Sequence, residues 1–286
     1  MRIKHYLPIF SLLFGAFVWG IIWYPYRLMA QAGVSGIYSS LYVFILTLAI
    51  ALPYFFITKK KIPIWSKDFW FLSVVAGYTN ISYVLAVIDG EVIRVMLLFY
   101  LSPVWTIFLS HFMLNEDTQK RHYIAAFISL LGALVMFWQP NHFIYLDLKS
   151  DWLALSSGIG FAMTNVMTRK HQHMTISQKA LAIWIGVIII AIICILFDKD
   201  TMPSLHFFRP VDAFIAIAIA LCLFFSTLLV QFGVTQIKAV EASSFFLFEI
   251  VVAAISSYLL VGESIEIKEW FGGIMIIAGV ILAAKN

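Results

Sequence analysis

The sequence predicts an all-α integral membrane protein of ten transmembrane helices, arranged as two five-helix repeats that enter the membrane in opposite orientations. Three observations lead there. The 286 residues are 62% hydrophobic and only 12% charged, where a soluble chain carries about 25% charge. So little charge cannot cover a water-facing surface of this size, which excludes a soluble enzyme and a nucleic-acid binder. The apolar runs are continuous and do not alternate, which argues against a β-barrel. Features of the first half also return in the second half in the same order.

A span needs about 20 residues. Hydropathy places ten of them at 7–28, 37–57, 69–88, 92–113, 122–138, 151–168, 179–197, 211–233, 240–261 and 270–284. Many loops between them begin or end on charges, Gly or Pro, as helix ends do. Too little chain is left over for a separate soluble domain. Arg2 and Lys4 precede a long apolar run without a small-residue cleavage site, so that run is expected to stay as the first span. With the N-terminus in the cytoplasm, alternation puts 13 Lys and Arg inside and 6 outside. This excess predicts two cytoplasmic termini in a bacterial inner membrane. Lys59-Lys60-Lys61 reads as a cytoplasmic anchor, Arg27 and Arg169 as anchors of helix ends. The outer loops carry Asp198, Asp200, Glu263, Glu266 and Glu269 instead. Cys194 and Cys222 lie inside apolar segments and read as buried reduced thiols, with neither a disulfide nor a metal site.

A shift of 147 residues carries 92–137 onto 239–284 without gaps. Phe99 then meets Phe246, Val104 meets Val251, Ser110 meets Ser257, Glu116 meets Glu263 and Gly132 meets Gly279. The same shift puts Thr79 and Asn80 on Ser226 and Thr227. A shift of 142 puts Arg27 on Arg169 and Trp23 on Asn165. Five spans are an odd number, so the second copy of the unit enters the membrane upside down. Such inverted repeats are common in secondary transporters, with the substrate site between the halves near the midplane.

These residues resemble the EamA family of the drug/metabolite transporter superfamily. The carrying motifs are Trp19-Gly20 with Arg27 in span one, and Leu98-Phe99-Tyr100-Leu101-Ser102-Pro103-Val104-Trp105 in span four. Asn115-Glu116 follows span four, where the family usually has Gly-Glu, and Gly132 lies in span five. In the second half Phe248-Glu249 lies in span nine and Gly262-Glu263 just after it; Ile250 stands where the family usually has Pro. The resemblance covers nearly the whole chain as two repeats, 1–140 and 148–286. It implies a carrier, most often an exporter of amino acids, related metabolites or drug-like compounds. Importers of metabolites or cofactors share the fold. The fold does not require a dimer, so a monomer or homodimer is expected.

The candidate cavity residues are Glu249, Asn80, Tyr83, Trp19, Trp23, Tyr100, Asn165 and Thr227. An ionisable group near the bilayer centre is costly unless it meets a cavity or a partner, so Glu249 reads as a site for a substrate amine or a coupled proton. Its structural alternative is a protonated hydrogen bond between helices. Asn80, Asn165 and Thr227 can bond a substrate's carboxylate or amide, or a neighbouring helix. The mid-span rings can stack on an aromatic or cationic substrate. Arg94, at the outer start of span four, is expected to pair with Asp89 or Glu91 or to snorkel, with attraction of anionic substrate groups as the alternative. Pro25 and Pro103 are expected to interrupt their helices. Nothing matches a Walker A loop, so no ATP and no cofactor is expected, and the driving force is the substrate gradient or proton exchange. An intramembrane enzyme would need several converging acid–base groups, and the interior offers little beyond Glu249. The expected partners are membrane lipids and a small-molecule substrate. A ligand-binding receptor or accessory subunit is the remaining alternative.

Overall fold

The chain folds entirely as helices and connections among the described residues. The computed structural model describes residues 2–58, 66–90, 92–116, 118–138, 149–197, 210–262 and 264–285. The Lys59-Lys60-Lys61 run, Glu91, Asp198, Asp200 and Glu263 lie outside them. Twelve helices follow in order: α1 (Arg2–Gln31), α2 (Gly36–Thr58), α3 (Lys67–Asp89), α4 (Val92–Phe99), α5 (Ser102–Leu114), α6 (Lys120–Phe137), α7 (Lys149–Lys170), α8 (Ile176–Phe197), α9 (Pro210–Gln236), α10 (Ala239–Phe246), α11 (Phe248–Val261) and α12 (Ile267–Ala284).

Local chemistry sets the helix ends. Ser66 accepts from the Phe69 N–H and caps α3. Glu266 and Glu269 form a capping box at the start of α12. Asn115 and Gly262 both turn left-handed, with φ of 49° and 73°, and end α5 and α11. Those two residues are 147 apart, as are the starts of α4 and α10 and of α6 and α12.

Nine helical segments among the described residues are long and apolar enough to cross a membrane, counting α4–α5 and α10–α11 as one each. Nine of the ten expected spans coincide with them within a few residues. The remaining expected span, 151–168, falls in α7. This helix has 22 residues, enough to span, but is rich in Ser, Thr and Gly. The reason is its place: α7 is wrapped by α3, α4, α5 and α9, so its faces meet other helices and polar residues are tolerated.

One expected helix break is absent. Pro25 does not interrupt α1, which runs through both Pro8 and Pro25. A proline removes one donor and bends a helix without having to end it. Pro103 does sit at a break, in the first turn of α5, where its missing N–H is no loss. Ile250 replaces the matching proline, yet the chain still breaks at Leu247, whose carbonyl accepts a tighter bond from Ile250 N at 3.1 Å.

Most large helix contacts join one half to the other. The α3–α7 contact is matched by α9–α1, α3–α8 by α9–α2, and α5–α7 by α11–α1, while α6 packs on α12 and α2 on α8. Glycine permits the closest crossings: any Cβ on Gly77 or Gly186 would strike the backbone of the facing helix, so α3 and α8 meet main chain to main chain. The core divides accordingly, with one cluster around α2, α3, α8 and α9 and a second around α1, α6, α10 and α12.

Candidate functional site

The broken helices bring backbone ends and side chains together in the middle of the bundle. Phe99 ends α4 and Phe246 ends α10, and both rings pack against rings of other helices. Trp19 of α1 lies 5.6 Å from Phe246, and Phe161 of α7 lies 5.5 Å from Phe99, centroid to centroid. Trp19 and Phe161 meet each other at 6.0 Å, and Phe161 also meets Phe246 at 5.2 Å. Position 161 is 19 shifted by 142, and 246 is 99 shifted by 147. The four rings are therefore two equivalent pairs, one from each half. Tyr83 adds a ring 4.7 Å from Phe99, and Tyr100 packs edge-on to Phe99 at 5.3 Å.

Glu249 stands in the first turn of α11, against this cluster. Its carboxyl hydrogen-bonds Tyr100, and Tyr83 lies close by. It is half-buried. Four of the eight expected cavity residues, Glu249, Tyr83, Tyr100 and Trp19, thus belong to one connected cluster. Sequence reasoning passed over Phe99, Phe161 and Phe246 as site residues. The shifts of 142 and 147 were the available signal, because they pair Trp19 with Phe161 and Phe99 with Phe246.

The other four sit differently. Trp23 donates to Ser256 Oγ at 2.9 Å, and Ser256 donates in turn to the Gly20 carbonyl, so Trp23 ties α1 to α11. Asn80 is half-buried on α3 with a buried Oδ1 that has no hydrogen-bond partner. Asn165 is buried on α7 and Thr227 on α9. Thr79 and Ser226, the neighbours of Asn80 and Thr227, bond back to carbonyls of their own helices.

The two ends of the bundle are closed to different degrees. At one end α10 is buried along nearly its whole length, packed on α1, α5, α6 and α12. At the other end its counterpart α4 packs mainly on α7 and keeps more surface open. The α10 end also holds a charged network. Glu116 receives Arg169 Nε at 2.7 Å and the Ala239 N–H at 3.1 Å. Arg169 also donates to the Thr235 carbonyl. Lys179, fully buried, donates to the Thr168 carbonyl at 2.7 Å and to Thr235 Oγ1 at 2.9 Å. Arg169 is thus more than the expected helix-end anchor: it links the end of α5 to α7 and α9. Arg27, by contrast, is exposed. At the α4 end Arg94 pairs with Asp151 of α7 at 2.6 Å; of the two expected partners, Glu91 lies outside the described residues. Asp151 is 1% exposed, and a buried carboxylate needs such a cation to offset its desolvation.

A separate cavity of about 520 Å³ opens between α2, α8 and α9, lined by Tyr54, Met174, Trp184 and Phe224 among others. None of the eight expected residues lines it. Beside it, in the turn between α7 and α8, burial holds the His171 imidazole below its usual range, aided by His173, Lys170 and Lys179 and opposed by Asp68.

Comparison with known proteins shows likeness along nearly the whole chain. The profile of the EamA-like transporter family matches residues 7–138 and again 148–285. An uncharacterized transporter of Archaeoglobus fulgidus is 24% identical over 217 residues, covering 75% of each chain. A solved crystal structure, described only as that of a protein, superposes with a TM-score of 0.80 over 98% of this chain and 97% of its own, at 13% identity. At that identity the likeness concerns the fold alone.

Proposed function

Since the chain belongs to the EamA-like transporter family and is a multi-pass membrane transporter, we propose that it is a secondary carrier that exports a small organic metabolite by alternating access. The substrate class is an amino acid or a related compound bearing an amino group. The membrane is a bacterial inner membrane, with ten spans, two inverted repeats of five, and both termini cytoplasmic. The repeats occupy 1–140 and 148–286.

The observation that carries this reading is the cluster of Glu249, Tyr100 and Tyr83 with the rings of Trp19, Phe99, Phe161 and Phe246. A carboxyl bonded to Tyr100, at the edge of a cluster of aromatic rings, suits an ammonium group, which would gain both an ion pair and cation–π attraction away from water. Asn80 adds an unpartnered carbonyl oxygen on α3 for a substrate N–H, and Asn165 and Thr227 complete the polar lining. Nearly every large contact joins the halves, so a rocking motion of one against the other would open the cluster to one side at a time. The network of Glu116 and Arg169 supports closure at the cytoplasmic end, and the looser α4 supports an opening on the far side. Proton exchange at Glu249 would supply the driving force when no substrate gradient exists.

The test is a melting-temperature screen of the purified protein against amino acids, polyamines, nucleosides and quaternary amines, followed by flux in sealed vesicles. A ligand that stabilises the fold should show saturable uptake and counterflow. Binding without any flux would make the protein a receptor, and flux without saturation would make it a channel.

A further inference from the structure

We propose that Asp68, His171 and His173 form a site for a transition-metal dication of the zinc type, placed where the first half meets the second. It stands apart from the aromatic cluster, and it does not depend on the carrier reading. His171 Nδ1 lies 3.1 Å from Asp68 Oδ2, and His173 Nε2 lies 3.3 Å from the same oxygen. All three donor atoms fall within 4.8 Å of one another. Donors around a tetrahedral zinc ion, with bonds of about 2.0–2.1 Å, sit about 3.3 Å apart. Two edges of the triangle are therefore already at ligand spacing. The third closes with a small rotation of His173, whose side chain is 62% exposed. The rings stand at 87° to each other, 5.4 Å apart between centroids, and do not stack.

The backbone beneath the three groups is fixed. Asp68 is in the first turn of α3, behind the Ser66 cap. His171 N donates to the Met167 carbonyl at 3.0 Å, and Met174 N to the His171 carbonyl at 3.2 Å, so the His-Gln-His turn is closed at both sides. Two imidazoles and one carboxylate suit zinc, cobalt or nickel, and are too few oxygens for magnesium or calcium. The exposed side leaves the fourth position to water. A bound ion would tie α3 to the α7–α8 turn, across a helix contact that already joins the halves.

The experiment uses the full chain in detergent, purified through a histidine-free tag and stripped with chelator. Zinc sulfate is titrated calorimetrically at neutral pH, and the melting temperature is followed with and without zinc. The expected result is one saturable ion per chain and a rise in melting temperature that chelator reverses. His173→Ala and Asp68→Asn should each weaken binding by about tenfold or more. His111→Ala, on the exposed surface of α5, should bind as the parent does. His173 is largely solvent-exposed, so its replacement leaves folding intact. No saturable binding, or binding unchanged in His173→Ala, would overturn the site and leave the three groups as a carboxylate tie between two imidazoles.

Discussion

Glu249 stands where a lipid-facing residue would not: it is half-buried, Tyr83 lies close by, and it accepts a hydrogen bond from Tyr100. A carboxylate that binds substrate or carries a proton must be able to ionise. A carboxyl that only bridges helices need not. Glu249→Gln separates the two, because the amide keeps the shape and one acceptor but no charge. In reconstituted vesicles, flux by this variant should fall about tenfold or more, with a melting temperature close to the parent's. Unchanged flux would assign the residue to packing. The neighbouring rings show where reading by residue type fails. Phe99, Phe161 and Phe246 look like ordinary membrane phenylalanines in a chain with 26 of them. Only their positions, equivalent in pairs across the repeat, mark them out.

At the scale of elements, the matched breaks between α4 and α5 and between α10 and α11 bring Phe99 and Phe246 into the ring cluster proposed as the substrate site. A broken span exposes helix termini in mid-membrane, which is tolerated only inside protein or beside a cavity. The two breaks are equivalent in sequence but not in packing, since α10 is gripped by four helices and α4 chiefly by one. Glu116 and Arg169 form the polar part of that grip. Arg169→Ala removes a charged, hydrogen-bonded pair, a change that costs about 2 kcal/mol or more. It should therefore raise the population open at this end about tenfold or more. The measurement is thiol labelling of Ser243→Cys, buried on α10, in a background without Cys194 and Cys222. Equal labelling rates with and without Arg169 would show that the network does not hold the end closed.

For the whole molecule, orientation follows from charge, because basic loops are retained on the cytoplasmic side. A fluorescent protein that matures only in the cytoplasm, fused after Asn286, should therefore glow, and alkaline phosphatase at the same position should be inactive. Active phosphatase there would reverse the orientation and, with it, the assignment of the Glu116 end to the cytoplasm. The halves interlock so widely that neither is expected to pack alone: α3 needs α7 and α8, and α1 needs α9 and α11.

Composition and hydropathy by themselves determined the class, because transfer into lipid is a sum over side chains and needs no knowledge of neighbours. They also set nine of the spans to within a few residues, and the 147-residue offset anticipated matching helix ends such as Asn115 and Gly262. The tertiary structure decided what depends on pairs of groups far apart in sequence. It decided that α7 carries polar residues because helices, not lipid, surround it. Arg94 meets Asp151, 57 residues away, because salt bridges form by distance in space. Trp23 became a strut to Ser256, while Trp19 joined the ring cluster, although four residues along one helix separate them. His171 and His173 meet Asp68 from the other half only because α3 packs against α7 and α8.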